Sequence, residues 1–265
     1  MSARWLEGVG LHTGLEVRAR FLEAPSGSGV IVRRTDVGLE IPARPEHVSP
    51  GLRCTRLVTG GACVETVEHA LAALVGLGVR DAILEVDGPE VPILDGSALP
   101  FVALARDAGL HPAPPGWSVA AAWSFEAGDG SISFEPGDGV EVSSVIEFEH
   151  PAVGRRDFAW SGDPVEFERE IAPARSFGFT TEIDLLRAAG RIRGGSLASA
   201  VVFGDAGVLN PEGLRFADEP ARHKLLDLLG DLCLVGGAPL GRIRAFRYGH
   251  RLGAAAFARI RDRGR

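Results

Sequence analysis

The stretch His111-Pro-Ala-Pro-Pro-Gly116 divides the chain. Two consecutive prolines before a glycine break helix and strand alike, because proline lacks the backbone N–H and its ring clashes with a preceding helical turn. The break leaves segments of about 110 and 150 residues, each of ordinary domain size. We therefore expect residues 1–110 to form one domain, 111–116 a linker and 117–265 a second domain.

Each segment mixes strands with helices. On the N-terminal side, Val17–Glu23 and Val30–Arg34 alternate as strands around the turn Pro25-Ser-Gly-Ser-Gly29. Thr66 is placed to cap a helix over Val67–Val75, ended by Gly76 and Gly78. Ala82–Val86 follows as a strand, then the loop 87–96, then a helix capped by Ser97 and ending near Gly109. On the C-terminal side, Ser118–Phe125, Ser131–Glu135, Val140–Phe148 and Ala198–Phe203 read as strands. Pro164–Ile171, Ile183–Ala189 and Pro220–Val235 read as helices, the last with proline in its first turn and Gly236-Gly237 beyond its end. The expected class is α+β, a sheet layered with helices in each half. No internal repeat is visible.

Composition narrows the function. Hydrophobic residues make up 45% and charged residues 24%, as in ordinary globular proteins. A net charge of -7 offers no basic face for nucleic acid. No run of about 18 apolar residues is present, and Met1–Gly10 has no apolar leader or lipidation motif, so no membrane insertion is expected. Cys54, Cys63 and Cys233 are too widely spaced for a CxxC metal site, and reduced thiols fit a cytoplasmic protein. The chain has 27 Arg but a single Lys (Lys224), a single Asn (Asn210) and a single Tyr (Tyr248). Residue types that survive such a bias rarely are candidates for positions where chemistry resists replacement.

On the helix Pro220–Val235, His223 and Asp227 are four residues apart and share a face. Imidazole plus carboxylate suits zinc, and a catalytic zinc site takes three protein ligands plus water. Asp231 continues the same row and could orient another charged group. An HxxxD pair also fits an exposed polar helix face. Thr66-Val-Glu-His69 places a His beside a Glu, a pairing of ligand and general base known in metal hydrolases. Taken alone, Glu68 reads as a helix-dipole contact and His69 as a core histidine.

Six blocks taken together go further. Gly8-Val-Gly-Leu-His-Thr-Gly14, Thr66-Val-Glu-His69, Gly88-Pro-Glu-Val-Pro-Ile-Leu-Asp-Gly-Ser97, Ala174-Arg-Ser-Phe-Gly-Phe179, Gly213-Leu-Arg-Phe216 with His223-Lys-Leu-Leu-Asp227 and Gly230-Asp231, and Gly249-His250 occur in this order. The pattern resembles the zinc-dependent UDP-3-O-acyl-N-acetylglucosamine deacetylases of bacterial lipid A synthesis over about residues 7–252. The resemblance implies two α+β domains with the active site between them, and one Zn2+ held by His69, His223 and Asp227. It implies Glu68 as general base, His250 held protonated by Asp231, and Ser176 as a hydroxyl donor to the substrate carbonyl. The implied substrate is UDP-3-O-acyl-N-acetylglucosamine, and the implied products are acetate and a free 2-amino sugar. Phe148, ahead of an HP pair, would stack on uracil. Lys224 and His12 would approach phosphates or sugar, and Phe177 would pack near the sugar ring. An insertion over Thr180–Ala200, with Leu185, Leu186, Ile192 and Leu197, would form an acyl tunnel, although the same residues also suit an ordinary core.

Some positions depart from the family pattern. Ser176 stands where threonine is usual, keeping the hydroxyl without the methyl that fixes its rotamer. Arg191 and Arg193 flank Ile192 where apolar residues are usual, which bears on acyl-chain length. The competing function is a nucleotide-sugar binding protein without catalysis. Degenerate enzymes lose a ligand or the base, whereas every matched position here holds a competent residue. A monomer is expected.

Overall fold

The structure is a computed structural model that describes residues 4–50 and 53–262. Residues 263–265 lie outside the described residues. In the first half, β1 (Leu6–Val9), β2 (Glu16–Glu23), β3 (Val30–Arg34) and β4 (Leu39–Pro42) are followed by a small sheet of β5 (Val48–Pro50), β6 (Thr55–Thr59) and β7 (Ala62–Val64). Helix α1 (Glu68–Gly76), strand β8 (Ala82–Val86) and helix α2 (Leu99–Asp107) complete it. The main sheet has the order β1-β2-β8-β3-β4, antiparallel except where β8 runs parallel to β3.

The second half begins with β9 (Trp123–Ala127), β10 (Gly130–Glu135), β11 (Val140–Glu147) and β12 (Arg155–Trp160). A short helix α3 (Pro164–Glu166) runs into a π turn over Phe167–Ile171. Strand β13 (Phe177–Phe179), helix α4 (Thr180–Ala188), β14 (Val201–Gly204) and β15 (Gly207–Val208) form a side layer. Then come α5 (Glu219–Leu232), β16 (Gly241–Phe246) and α6 (His250–Asp262). The main sheet here has the order β9-β10-β16-β11-β12, with β16 parallel to β11 and the other pairs antiparallel.

The two main sheets thus share one topology. In each, the last strand enters the middle beside the second and third, preceded by the helix that enters the core. The repeat is invisible in sequence because it is carried by strand order and alternation, which many side chains satisfy. Val17, Ala19 and Phe21 face inward from β2, and Ile243 and Ala245 from β16, while Arg18, Arg20, Arg242 and Arg244 face outward. Helix α1 packs against α5, and α5 packs on β11 and β12. One apolar core runs through both halves, including Phe21, Leu84, Leu71, Leu229, Phe134 and Ile243. Every residue of α1 is buried, as befits a helix covered on all sides. The close approach of α5 requires Gly230, where a Cβ would overlap the backbone carbonyl of Glu68.

Some local expectations are revised. Ser118–Phe125 is not one strand: pairing starts at Trp123, and Ser118 forms only a bridge to Leu240 because no longer partner lies alongside. Thr66 does not cap α1. Its φ is 58°, and its hydroxyl donates to Glu90 Oε1 at 2.8 Å. Helix α6 has no counterpart among the helices read from the sequence, and the buried Leu252, Ala256, Phe257 and Ile260 are the helical signal behind it. Among the described residues, no helix is long and apolar enough to cross a membrane.

Candidate active site

The contact of α1 with α5 brings the candidate ligands together. His69 comes from the first turn of α1, and His223 and Asp227 from successive turns of α5. All three are buried, and one ligand atom from each lies within 4.8 Å of the others. The two imidazole rings meet edge to face with centroids 5.1 Å apart. His223 Nδ1 lies 3.1 Å from the Ala174 carbonyl oxygen, which makes it the N–H donor and leaves Nε2 with a free lone pair. That Nε2 is 3.3 Å from Asp227 Oδ1. Burial, followed by the neighbouring His223, pushes His69 down to about 3, and burial lowers His223 against the opposing charge of Asp227. Both imidazoles are therefore neutral at physiological pH, as metal ligation requires. Burial alone would raise the Asp227 carboxyl, but Lys224 and His223 hold it below the usual carboxylate range. Two neutral imidazoles and one carboxylate fit a divalent transition metal such as zinc.

Glu68 precedes His69 and points to the same space. Its Oε2 accepts the Thr55 backbone N–H at 3.1 Å, and its Oε1 lies 3.8 Å from His250 Nε2. Burial pushes the Glu68 carboxyl up to about 8; His250 opposes the rise and Asp227 adds to it. His250 opens α6 and donates from Nδ1 to Asp231 Oδ2 at 2.8 Å. Burial lowers the basicity of this imidazole, but the charge and hydrogen bond of Asp231, with Glu68 and Asp227 behind, raise it to about 9. It is therefore protonated at neutral pH. Two partners of Asp231 escaped the sequence reading: the Tyr248 hydroxyl donates to Oδ2 at 2.8 Å, and the Thr55 hydroxyl donates to Oδ1. Tyr248 carried a signal as the only tyrosine, whereas nothing in its surrounding sequence marks Thr55.

Ser176 ends the Ala174-Arg-Ser motif ahead of β13. Its Oγ is 3.4 Å from His69 Nε2 and 3.3 Å from His223 Nε2. These groups lie on the wall of a cavity of about 740 Å³, whose other walls include Leu186, Ile192, Leu197 and Val202. His12 also lines this cavity. Its backbone N–H is held by Glu90, but both ring nitrogens are buried without a partner among the described residues. Burial, then Arg191, lowers the His12 imidazole to about 4. A second cavity of about 710 Å³ is lined by Phe148, Arg247 and Tyr248. Lys224 lines both cavities. Its ammonium is 2.7 Å from Asp227 Oδ2, so it also bears directly on a candidate ligand, and it lies 5.9 Å from the Phe177 ring centre. Phe177, on the wall of the first cavity, stands 5.6 Å from Phe148 and 6.2 Å from His223.

Within the insertion, Leu186, Ile192 and Leu197 line the first cavity, while Leu185 is 73% exposed and does not. Arg191 turns away from it: its guanidinium pairs with Glu65 at 2.7 Å and reaches Cys54 Sγ at 3.4 Å.

A family model described as UDP-3-O-acyl N-acetylglycosamine deacetylase matches residues 2–262. The chain belongs to this family. Among its relatives, a UDP-3-O-acyl-N-acetylglucosamine deacetylase of Anaeromyxobacter dehalogenans (strain 2CP-C) is 44% identical over 256 residues, covering 96% of this chain and 83% of the relative. Proteins of the same name from Myxococcus xanthus (strain DK1622) and Cellvibrio japonicus (strain Ueda107) are 43% and 42% identical over 252 residues. They align with 93% and 92% of this chain, and with 80% and 83% of their own lengths. Membership of the family agrees with the α+β layering of both halves.

Proposed function

We propose that the chain is a zinc-dependent amidohydrolase. It removes the N-acetyl group of UDP-3-O-acyl-N-acetylglucosamine, giving UDP-3-O-acyl-glucosamine and acetate, the committed step of lipid A synthesis. The observation that carries this reading is the convergence of His69, His223 and Asp227 with Glu68 and His250 on one cavity wall, with Asp231 holding His250 from behind. His69, His223 and Asp227 would hold the zinc. When bound, it supplies Lewis acidity, which polarises a carbonyl oxygen and acidifies water.

The remaining roles belong to the chain's own side chains. Glu68 takes the proton of the attacking water at its Oε1, the oxygen free of the Thr55 N–H. The Ser176 hydroxyl donates to the developing oxyanion, a contribution of about 2.7–4 kcal/mol for a well-placed donor. His250, protonated at neutral pH, faces the same space with Nε2 and delivers a proton to the departing amine. Phe148 offers an aromatic face for uracil, and Lys224, shared by both cavities, binds the phosphate or sugar that joins them. Neutral His12 suits a sugar hydroxyl better than a phosphate. The apolar wall takes the acyl chain. The enzyme would act in the cytoplasm as a monomer. Acetate release from the purified zinc-loaded protein, abolished by chelation and restored by zinc, tests the reading; binding without release would leave a nucleotide-sugar binding protein.

His250→Ala and Asp231→Ala are expected to be strongly non-additive, since Asp231 acts through the imidazole it holds. The working form of His250 is the cation, so rate is lost as pH rises through its raised pKa of about 9. Removing the Asp231 charge lowers that pKa and moves the alkaline fall to lower pH. Rate losses that multiply, or an alkaline limb that stays in place, would contradict the shared role.

A further inference from the structure

We propose that Glu90 is a positioning residue for the reaction: its buried carboxylate holds the left-handed turn at Thr66 from which Glu68 and His69 are aimed into the cavity. Glu90 is 0% exposed. Its Oε1 accepts the His12 N–H at 2.9 Å and the Thr66 hydroxyl at 2.8 Å. Its Oε2 accepts the Thr13 N–H and the Thr13 hydroxyl, both at 2.8 Å, with the His12 N–H shared at 3.1 Å. These donors are neutral N–H and O–H groups from two separate segments. A buried carboxylate is costly to keep unless such bonds satisfy it, so its location calls for an explanation.

Thr66 supplies one. A β-branched residue at φ 58° crowds its own backbone, and the left-handed region is one that such side chains rarely occupy. Strain of this kind persists where the surroundings over-determine it and concentrates at functional sites. Here the Glu65 N–H donates to the Pro89 carbonyl at 3.0 Å and the Val91 N–H to the Glu65 carbonyl at 3.0 Å, clamping the chain just ahead of the turn to both sides of Glu90. The hydroxyl bond of Thr66 to Glu90 then fixes the turn itself. Two residues later α1 begins with the Glu68–His69 pair. The same carboxylate seats the His12 backbone while the His12 ring lines the cavity. Gly10 belongs to this arrangement, because a Cβ there would collide with Glu90 Oε2.

The proposal rests on reading Glu68 as the base and His69 as a ligand, and the test separates the two. Turnover of UDP-3-O-acyl-N-acetylglucosamine and zinc affinity by chelator competition would be measured for Glu90→Gln, Thr66→Val, Thr66→Gly, the double variant Glu90→Gln/Thr66→Gly and the control Glu68→Gln. Glu90→Gln points an NH2 group at existing donors, and Thr66→Val keeps the strained shape without its tether. Both are expected to lower kcat by about 10- to 100-fold with KM little changed, the scale of a misplaced catalytic group, and to weaken zinc. Glycine adopts the left-handed turn freely, so Thr66→Gly should keep most turnover and should partly restore the Glu90→Gln enzyme. A purely structural role gives the opposite order at position 66, because valine preserves the buried volume and glycine does not. Gly below Val in either readout, or no rescue of Glu90→Gln, overturns the proposal. If Glu90→Gln fails to fold, the order at position 66 decides alone. Normal turnover in Glu90→Gln beside an inactive Glu68→Gln overturns the Glu90 assignment only. Full activity in Glu68→Gln overturns the site reading and the Glu90 assignment with it.

Discussion

Replacement of Glu68 by alanine is expected to lower kcat by about 10²–10⁴-fold while zinc stays bound, the usual cost of losing a general base. Glu68 is not among the three groups whose ligand atoms converge, so its removal leaves the ligand set complete. What is lost is an acceptor beside that set, fixed through one oxygen by Thr55 and open at the other. Burial raises the Glu68 carboxyl while the neighbouring His250 cation opposes the rise, and it is the ionised form favoured by that cation that serves as the base. His250 has no obvious means of substitution, because Asp231 keeps it protonated and a protonated imidazole cannot act as a base. Metal analysis alongside single-turnover kinetics checks the prediction, and an alanine variant with near-normal kcat would remove Glu68 from the mechanism.

Alanine at His223 or at Asp227 is expected to abolish stoichiometric zinc, and turnover with it. Two remaining protein ligands hold zinc poorly, since catalytic sites rely on three. Among the described residues, no further His, Cys or carboxylate joins the converging set. Ser176 Oγ lies near both imidazoles, but a neutral hydroxyl is a weak ligand beside nitrogen or carboxylate oxygen. In Asp227→Ala the Lys224 ammonium also loses its partner at 2.7 Å, leaving a cation beside the vacated position that further disfavours a metal ion. Equilibrium dialysis followed by elemental analysis decides; one zinc per chain in either variant would mean that the ligands lie elsewhere.

The legible parts of the molecule were those with local periodicity or a fixed offset. The strand at Val30–Arg34 and the strand at Ala82–Val86 follow from alternation, and the i,i+4 spacing of His223 and Asp227 places them together before any coordinates. That His69 would join them depends on how α1 meets α5, a contact between distant segments that spacing cannot show; there the family resemblance supplied the third residue. The same limit hid Thr55, 176 residues from the Asp231 it contacts. Thr66 read as a helix cap because threonine before an apolar run usually is one, and the buried Glu90 competes successfully for its hydroxyl. Lys224 touches Asp227, Tyr248 touches Asp231, and Asn210 ties the end of the insertion through the Leu197 and Ala200 carbonyls.

The contact of α1 with α5 has a mechanical side. The three converging groups straddle it, one from the first helix and two from the second, so an ion seated there would work as a rivet between two copies of the same topology. Its binding free energy would then be cohesion between the halves as well as catalytic equipment, growing with metal concentration by mass action. Conversely, anything that slides one helix along the other changes the spacing of the ligands before it disturbs either sheet. A seam of this kind lets two similar layers, neither of which holds a complete set of reactive groups, gain both activity and adhesion from a single atom.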